Sequence, residues 1–104
     1  MKIAGSNILI TGAGGGIGSA IARQLAPRGA TLILVDRNAE RGEQLANELR
    51  ASGTKAVVLS GDLCEAATPT RLVASAIELV GGIDILINCA GVQNFGFFAD
   101  EASA

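Results

Sequence analysis

A parallel, doubly wound α/β sheet is the fold class this sequence predicts, on three observations. Short aliphatic runs alternate with longer amphipathic stretches along the 104 residues, in the pattern βαβαβαβ. The runs are almost continuously apolar rather than alternating, as in strands covered on both faces. A glycine cluster, TGAGGGIG from Thr11 to Gly18, follows the first run at once and suits a sharp turn from strand into helix.

The predicted strands are Asn7 to Thr11, Thr31 to Asp36, Ala56 to Ser60 and Asp84 to Asn88. The first helix is expected to start near Gly16 to Gly18, to carry Ile17, Ile21 and Leu25 on one stripe, and to close at Pro27 and Gly29. The second follows Asn38 as N-cap, runs through Leu45 and Leu49 with a charged outer face, and ends at Ser52-Gly53. For the third, Thr68 is the expected N-cap and Pro69 the first helical residue. Leu72, Val73, Ala76, Ile77 and Val80 then share one face, and Gly81-Gly82 end the helix. No repeat, linker or low-complexity stretch divides the chain, so residues 1–104 read as one domain.

Composition removes several function classes. Hydrophobic residues make up 49% and charged ones only 17%, which argues for a packed core rather than disorder. A net charge of −2 offers no basic field to nucleic acid or anionic lipid. The apolar run Ile8 to Ile10 is broken at Thr11-Gly12, too early for a signal or membrane segment, so a cytoplasmic location is expected. Cys64 and Cys89 stand apart, outside any CxxC pattern, and read as buried thiols; there is no His, Tyr or Trp, and no metal site is expected.

In open sheets of this kind ligands bind at the carboxyl ends of the strands, where the strand order reverses. At the first strand end the glycines let a pyrophosphate approach the backbone, and the following helix N-terminus presents free N–H groups and a partial positive charge. The spacing is T-G-x-x-x-G-x-G rather than a strict G-x-G-x-x-G. At the second strand end Asp36 stands roughly twenty residues beyond the glycines, where a carboxylate can accept the adenosine ribose hydroxyls. Taken alone, Asp36 serves equally well as a helix cap. Together the two turns read as a dinucleotide site.

Gly61-Asp62-Leu63 ends the third strand and Asn88-Cys89-Ala90-Gly91 the fourth. With these four turns in order, the chain resembles the short-chain dehydrogenase/reductase family over essentially its whole length. The resemblance implies a Rossmann-like sheet in the order 3-2-1-4, truncated relative to the full family fold. It implies that Gly12, Gly16, Ile17 and Gly18, in the turn that also holds Gly14 and Gly15, border the pyrophosphate. Asp36 and the adjacent Arg37 then lie at the adenosine ribose, and Asp62 and Leu63 at the adenine. Asn88, Ala90 and Gly91 border the nicotinamide side, and Asn88 ties the central strands together. Family members that take NADP often carry a basic residue where this chain has Gly15; with Asp36 this implies NAD over NADP, Arg37 being the contrary feature.

The family's chemistry uses a YxxxK pair whose tyrosine phenol moves the substrate proton. No tyrosine occurs in this sequence, so no catalytic residue is assigned and the chain is expected to be inactive alone. It reads as the NAD-binding N-terminal portion of a short-chain oxidoreductase. Two alternatives stand beside that reading: a non-enzymatic, self-associating or vestigial nucleotide-binding module, and half of a split enzyme. In the implied strand order, Asp84 to Asn88 is left on an open edge, and an apolar patch remains on the face covered by a single helix. With Phe95, Phe97 and Phe98 just beyond it, that edge is the expected contact of a homo-oligomer, unless the three rings fold back onto their own core.

Overall fold

A computed structural model of the chain describes residues 3–61 and 67–89. Its elements run β1 (Asn7–Thr11), α1 (Gly16–Leu25), a 3-10 turn (Ala26–Arg28), β2 (Thr31–Asp36), α2 (Ala39–Ala51), β3 (Ala56–Ser60), α3 (Thr68–Val80) and β4 (Ile85–Asn88). The strands form one parallel sheet in the order β3-β2-β1-β4, as the resemblance implied. Thr11 faces Val35 on one side and Asn88 on the other, so the ends of β1, β2 and β4 share one rim.

Each face of the sheet has its own core. On one, Ile8, Ile10, Leu32 and Leu34 pack with Ala22 of α1 and with Leu45, Ala46 and Leu49 of α2. On the other, Leu9, Ile33 and Val35 meet Leu72 and Ala76 of α3. Ile8, Ile10, Leu32, Ile33, Leu34 and Val35 are fully buried, and each such side chain contributes about 1.5–3 kcal/mol relative to exposure. β1 and β2 therefore fit the expectation of strands covered on both sides. β4 does not: Ile85 and Ile87 are half-buried towards α1 and α2, whereas Leu86 is 64% exposed at the sheet edge.

Several local expectations need correction. Ile17 is 53% exposed and does not share the stripe of Ile21 and Leu25, because the small Gly18 and Ala22 occupy the face that packs on the sheet. In α3 the N-cap is Ala67, not Thr68. The buried Thr68 is already helical, and its Cγ2 lies close to Gly61, just past the end of β3. Val73 and Ile77 are exposed while Leu72 and Ala76 are buried, so the packed face of α3 is narrower than its apolar pattern. Asp84 precedes β4: its carboxylate accepts the Asn7 N–H at 2.8 Å. The Asn7 side chain donates to the Val80 and Gly82 carbonyls at the end of α3.

The Asn38 cap stands as expected, its side chain accepting the Arg41 N–H at the start of α2. Arg23 of α1 reaches Glu48 of α2 in a two-pronged ion pair with a closest approach of 2.7 Å. The guanidinium's hydrogen bond holds the Glu48 carboxyl below its usual range. No helix among the described residues is long and apolar enough to cross a membrane.

Candidate functional site

The site forms where β1 and β2 end. Gly12 adopts the left-handed region at φ 66°, which turns the chain sharply without the penalty a Cβ would carry there. The ladder then continues one step past the strand, the Ala13 N–H donating to the Val35 carbonyl at 3.0 Å, and Gly15 N–H closes the turn on the Gly12 carbonyl at 3.0 Å. Gly15 is the N-cap of α1 and supplies no side-chain bond, and the first turn holds no acidic residue. The N-terminal amides of α1 are thus left to a ligand or to water.

The glycines serve separate purposes. A Cβ on Gly18 would overlap the Gly12 carbonyl oxygen and stand 2.9 Å from the Ala13 Cα, so α1 meets the turn at backbone distance. On Gly16 a Cβ would meet nothing within 4 Å, which leaves open space in front of the helix end. Gly14 is hemmed in on two sides: a Cβ there would come 2.5 Å from the Asp36 Oδ2 and 2.8 Å from the Arg41 Cβ.

Asp36 thereby joins the two turns. Its Oδ2 accepts the Gly14 N–H at 2.6 Å and its Oδ1 accepts the Asn38 N–H at 2.9 Å. The Arg41 Nη2 approaches the same Oδ1 at 3.4 Å. The carboxylate is only 4% exposed. Sequence reasoning brought the glycine turn and Asp36 together but missed Arg41, although a cation on the first turn of α2, three residues after the cap, is placed to reach back to the strand end. Arg37, the adjacent cation, is exposed.

Further along the rim the Thr11 hydroxyl donates to the Asn88 Oδ1 at 2.6 Å and accepts the Cys89 N–H at 3.0 Å. The β1–β4 link expected of Asn88 is therefore a side-chain bond to Thr11. Asp62, Leu63, Cys64, Ala90, Gly91, Phe95, Phe97 and Phe98 lie outside the described residues. Among the described residues no cluster of His, Cys, Asp and Glu is arranged to hold a metal ion. A groove of about 580 Å³, lined by Ala26, Pro27, Thr31, Leu49 and Lys55 among others, lies at the opposite end of β2. It has no part in the arrangement at the glycine turn.

A family model described as short chain dehydrogenase matches residues 6–104. The chain belongs to that family. Oxidoreductase UcpA of Salmonella typhimurium is 46% identical over 99 residues, which are 95% of this chain and 37% of that protein. The structure of a hydroxysteroid dehydrogenase from Escherichia coli matches at TM-score 0.80 and 33% identity, over 84% of this chain and 37% of that one. A short chain dehydrogenase/reductase from Burkholderia phymatum, solved in complex with NAD, matches at TM-score 0.79 and 30% identity, over 83% and 31% of the two chains. This short-chain dehydrogenase chain spans about two-fifths of the length of the curated relatives it matches.

Proposed function

We propose that this chain binds NAD across the turns after β1 and β2, and that the whole protein's reaction is hydride transfer between the nicotinamide and an alcohol or carbonyl carbon. The observation that carries the reading is the junction of Gly14 and Asp36: a carboxylate and an uncapped helix N-terminus stand side by side, with open space before Gly16. The pyrophosphate takes the α1 amides beside Gly12, Gly15, Gly16, Ile17 and Gly18. The adenosine ribose takes the remaining acceptor capacity of Asp36, near Arg37, and the adenine takes Asp62 and Leu63. Asn88, Ala90 and Gly91 border the nicotinamide.

A carboxylate at the ribose disfavours a 2′-phosphate by like-charge repulsion, which supports NAD over NADP. The proton step falls to groups beyond these residues, since the sequence has no tyrosine. In this reading residues 1–104 act as one cofactor-binding unit that is inactive alone. Calorimetric titration of NAD against the chain tests it. Saturable binding is expected, and the absence of saturation would overturn it.

The exposed Leu86 on the edge strand β4 favours a second reading, in which two copies associate along that edge. Sedimentation equilibrium is then expected to report a dimer, and Leu86→Lys to convert it to monomer. A monomer before substitution would remove this reading while leaving NAD binding untouched.

A further inference from the structure

Arg71, on the first turn of α3, lies over the carboxyl end of β3. Its Nη2 donates to the Ser60 carbonyl at 3.5 Å and stands 2.8 Å from where a Cβ on Gly61 would be, so the bare glycine leaves the room that the guanidinium occupies. The backbone beneath is fixed. The Arg71 N–H donates to the Ala67 carbonyl at 3.1 Å, and the neighbouring Leu72 is buried with Leu9, Ile33 and Val35. The Arg71 side chain is nonetheless exposed, and among the described residues it enters no ion pair. Within that set its charge and its flat face are left to a ligand.

Its place along the rim decides which part of a dinucleotide Arg71 meets. The strands run β3-β2-β1-β4, with the phosphates assigned to the turn after β1 and the adenosine ribose to Asp36 at the end of β2. Ser60, whose carbonyl Arg71 covers, pairs in register with Asp36, one strand spacing away at about 4.8 Å. A base carried by that ribose and directed away from the phosphates therefore comes to the end of β3. Adenine is flat, uncharged and rich in π electrons, and a guanidinium stacks on such a ring through its own plane. The phosphates stand a further strand away.

We propose that Arg71 positions the cofactor's adenine by stacking its guanidinium on the face of the ring, beside the Asp62 and Leu63 already assigned to that base. The proposal rests on the dinucleotide reading above. Its test is calorimetric titration of NAD against the full chain and the variants Arg71→Ala and Arg71→Lys, together with NMR of the Arg71 side chain in the original chain. Arg71→Ala is expected to bind NAD about fivefold more weakly, the scale of one exposed cation–π contact. Arg71→Lys keeps the charge without the flat face and is expected to lose most of the same affinity. On addition of NAD the Arg71 δ-CH2 and Nε–H resonances should move upfield in the ring current of the adenine. Nicotinamide mononucleotide, which carries no adenine, should leave them in place. Unchanged NAD affinity in either variant, or resonances that do not move upfield while NAD binds, would overturn the stacking role and leave the dinucleotide site standing. If the unsubstituted chain does not bind NAD, the site and the role of Arg71 fall together. The side chain is exposed, so both variants should melt with the original chain; if the alanine variant does not fold, the lysine variant and the resonances decide the question.

Discussion

Thr11 and Asn88 meet side chain to side chain at 2.6 Å, the Thr11 hydroxyl donating to the amide oxygen while it also receives the Cys89 N–H at 3.0 Å. Thr11 is buried, and among the described residues β1 is the only strand that pairs with β4. Thr11→Val keeps the shape and removes both side-chain bonds, while the Cys89 N–H keeps the Thr11 backbone carbonyl at 3.2 Å as acceptor. A loss of about 1–3 kcal/mol is expected, since a typical net hydrogen bond is worth about 0.5–1.5 kcal/mol. Thr11→Ser, which keeps the hydroxyl, should retain most of the stability in urea unfolding. The Cys89 amide, left with the longer bond to the Thr11 carbonyl, should exchange moderately faster in the valine variant and little faster in the serine one.

Asp36 supports the fold as well as the site. Its two oxygens accept the Gly14 and Asn38 N–H groups in a buried setting. Asp36→Ala leaves both donors without that acceptor, at about 1–3 kcal/mol for each one left unsatisfied. Asp36→Asn keeps one oxygen and should cost less. Both variants are expected to lose NAD binding in calorimetry. An alanine variant as stable as the original chain would show that solvent replaces the carboxylate freely.

The main features of the fold were legible because they depend on bulk patterning. β1, β2 and β3 coincide with their predicted bounds, since uninterrupted aliphatic runs between glycine turns leave few alternatives. Apolar pattern alone misplaced Ile17, Val73 and Ile77, because a helix on a sheet buries the row of side chains nearest the strands and small residues claim part of that row. The Thr68 cap was off by one residue: the helix already begins at Thr68, which is buried, and Ala67 takes the cap position. At the site, the glycines and Asp36 were legible from spacing. The contact of Arg41 with that turn was not, because it comes from the spatial meeting of Gly14 and Asp36, which no local pattern records.

Cys89 gives the fold a measurable dependence on alkaline pH. Burial pushes its thiol above the ordinary value, because the thiolate is costly to desolvate. The folded chain therefore holds this proton where the unfolded chain releases it. Its contribution is fully present below about pH 8.5, the ordinary cysteine value, and is lost as pH rises through the folded value. The difference in unfolding free energy between the original chain and Cys89→Ala should shift against the original chain over that range. Alkylation should confirm the cause: in a Cys64→Ser background, Cys89 should react slowly in native buffer and rapidly in denaturant.

Gly16 and Gly18 lie two residues apart on the same helix and should respond to alanine in opposite ways. At Gly18 the new methyl would overlap the Gly12 carbonyl and press on the Ala13 Cα. Neither neighbour is a flexible side-chain end, so the turn itself must shift, and overpacking of this kind costs about 1–3 kcal/mol. At Gly16 the methyl enters open space, and alanine in place of glycine favours a helix by up to about 1 kcal/mol. Gly18→Ala should therefore lower the melting temperature, while Gly16→Ala should hold or raise it. The space that accommodates the Gly16 methyl is the space assigned to the pyrophosphate. NAD affinity should accordingly fall in the stable Gly16→Ala variant, a loss that instability cannot explain. If Gly16→Ala binds NAD as the original chain does, the phosphates lie elsewhere on the rim.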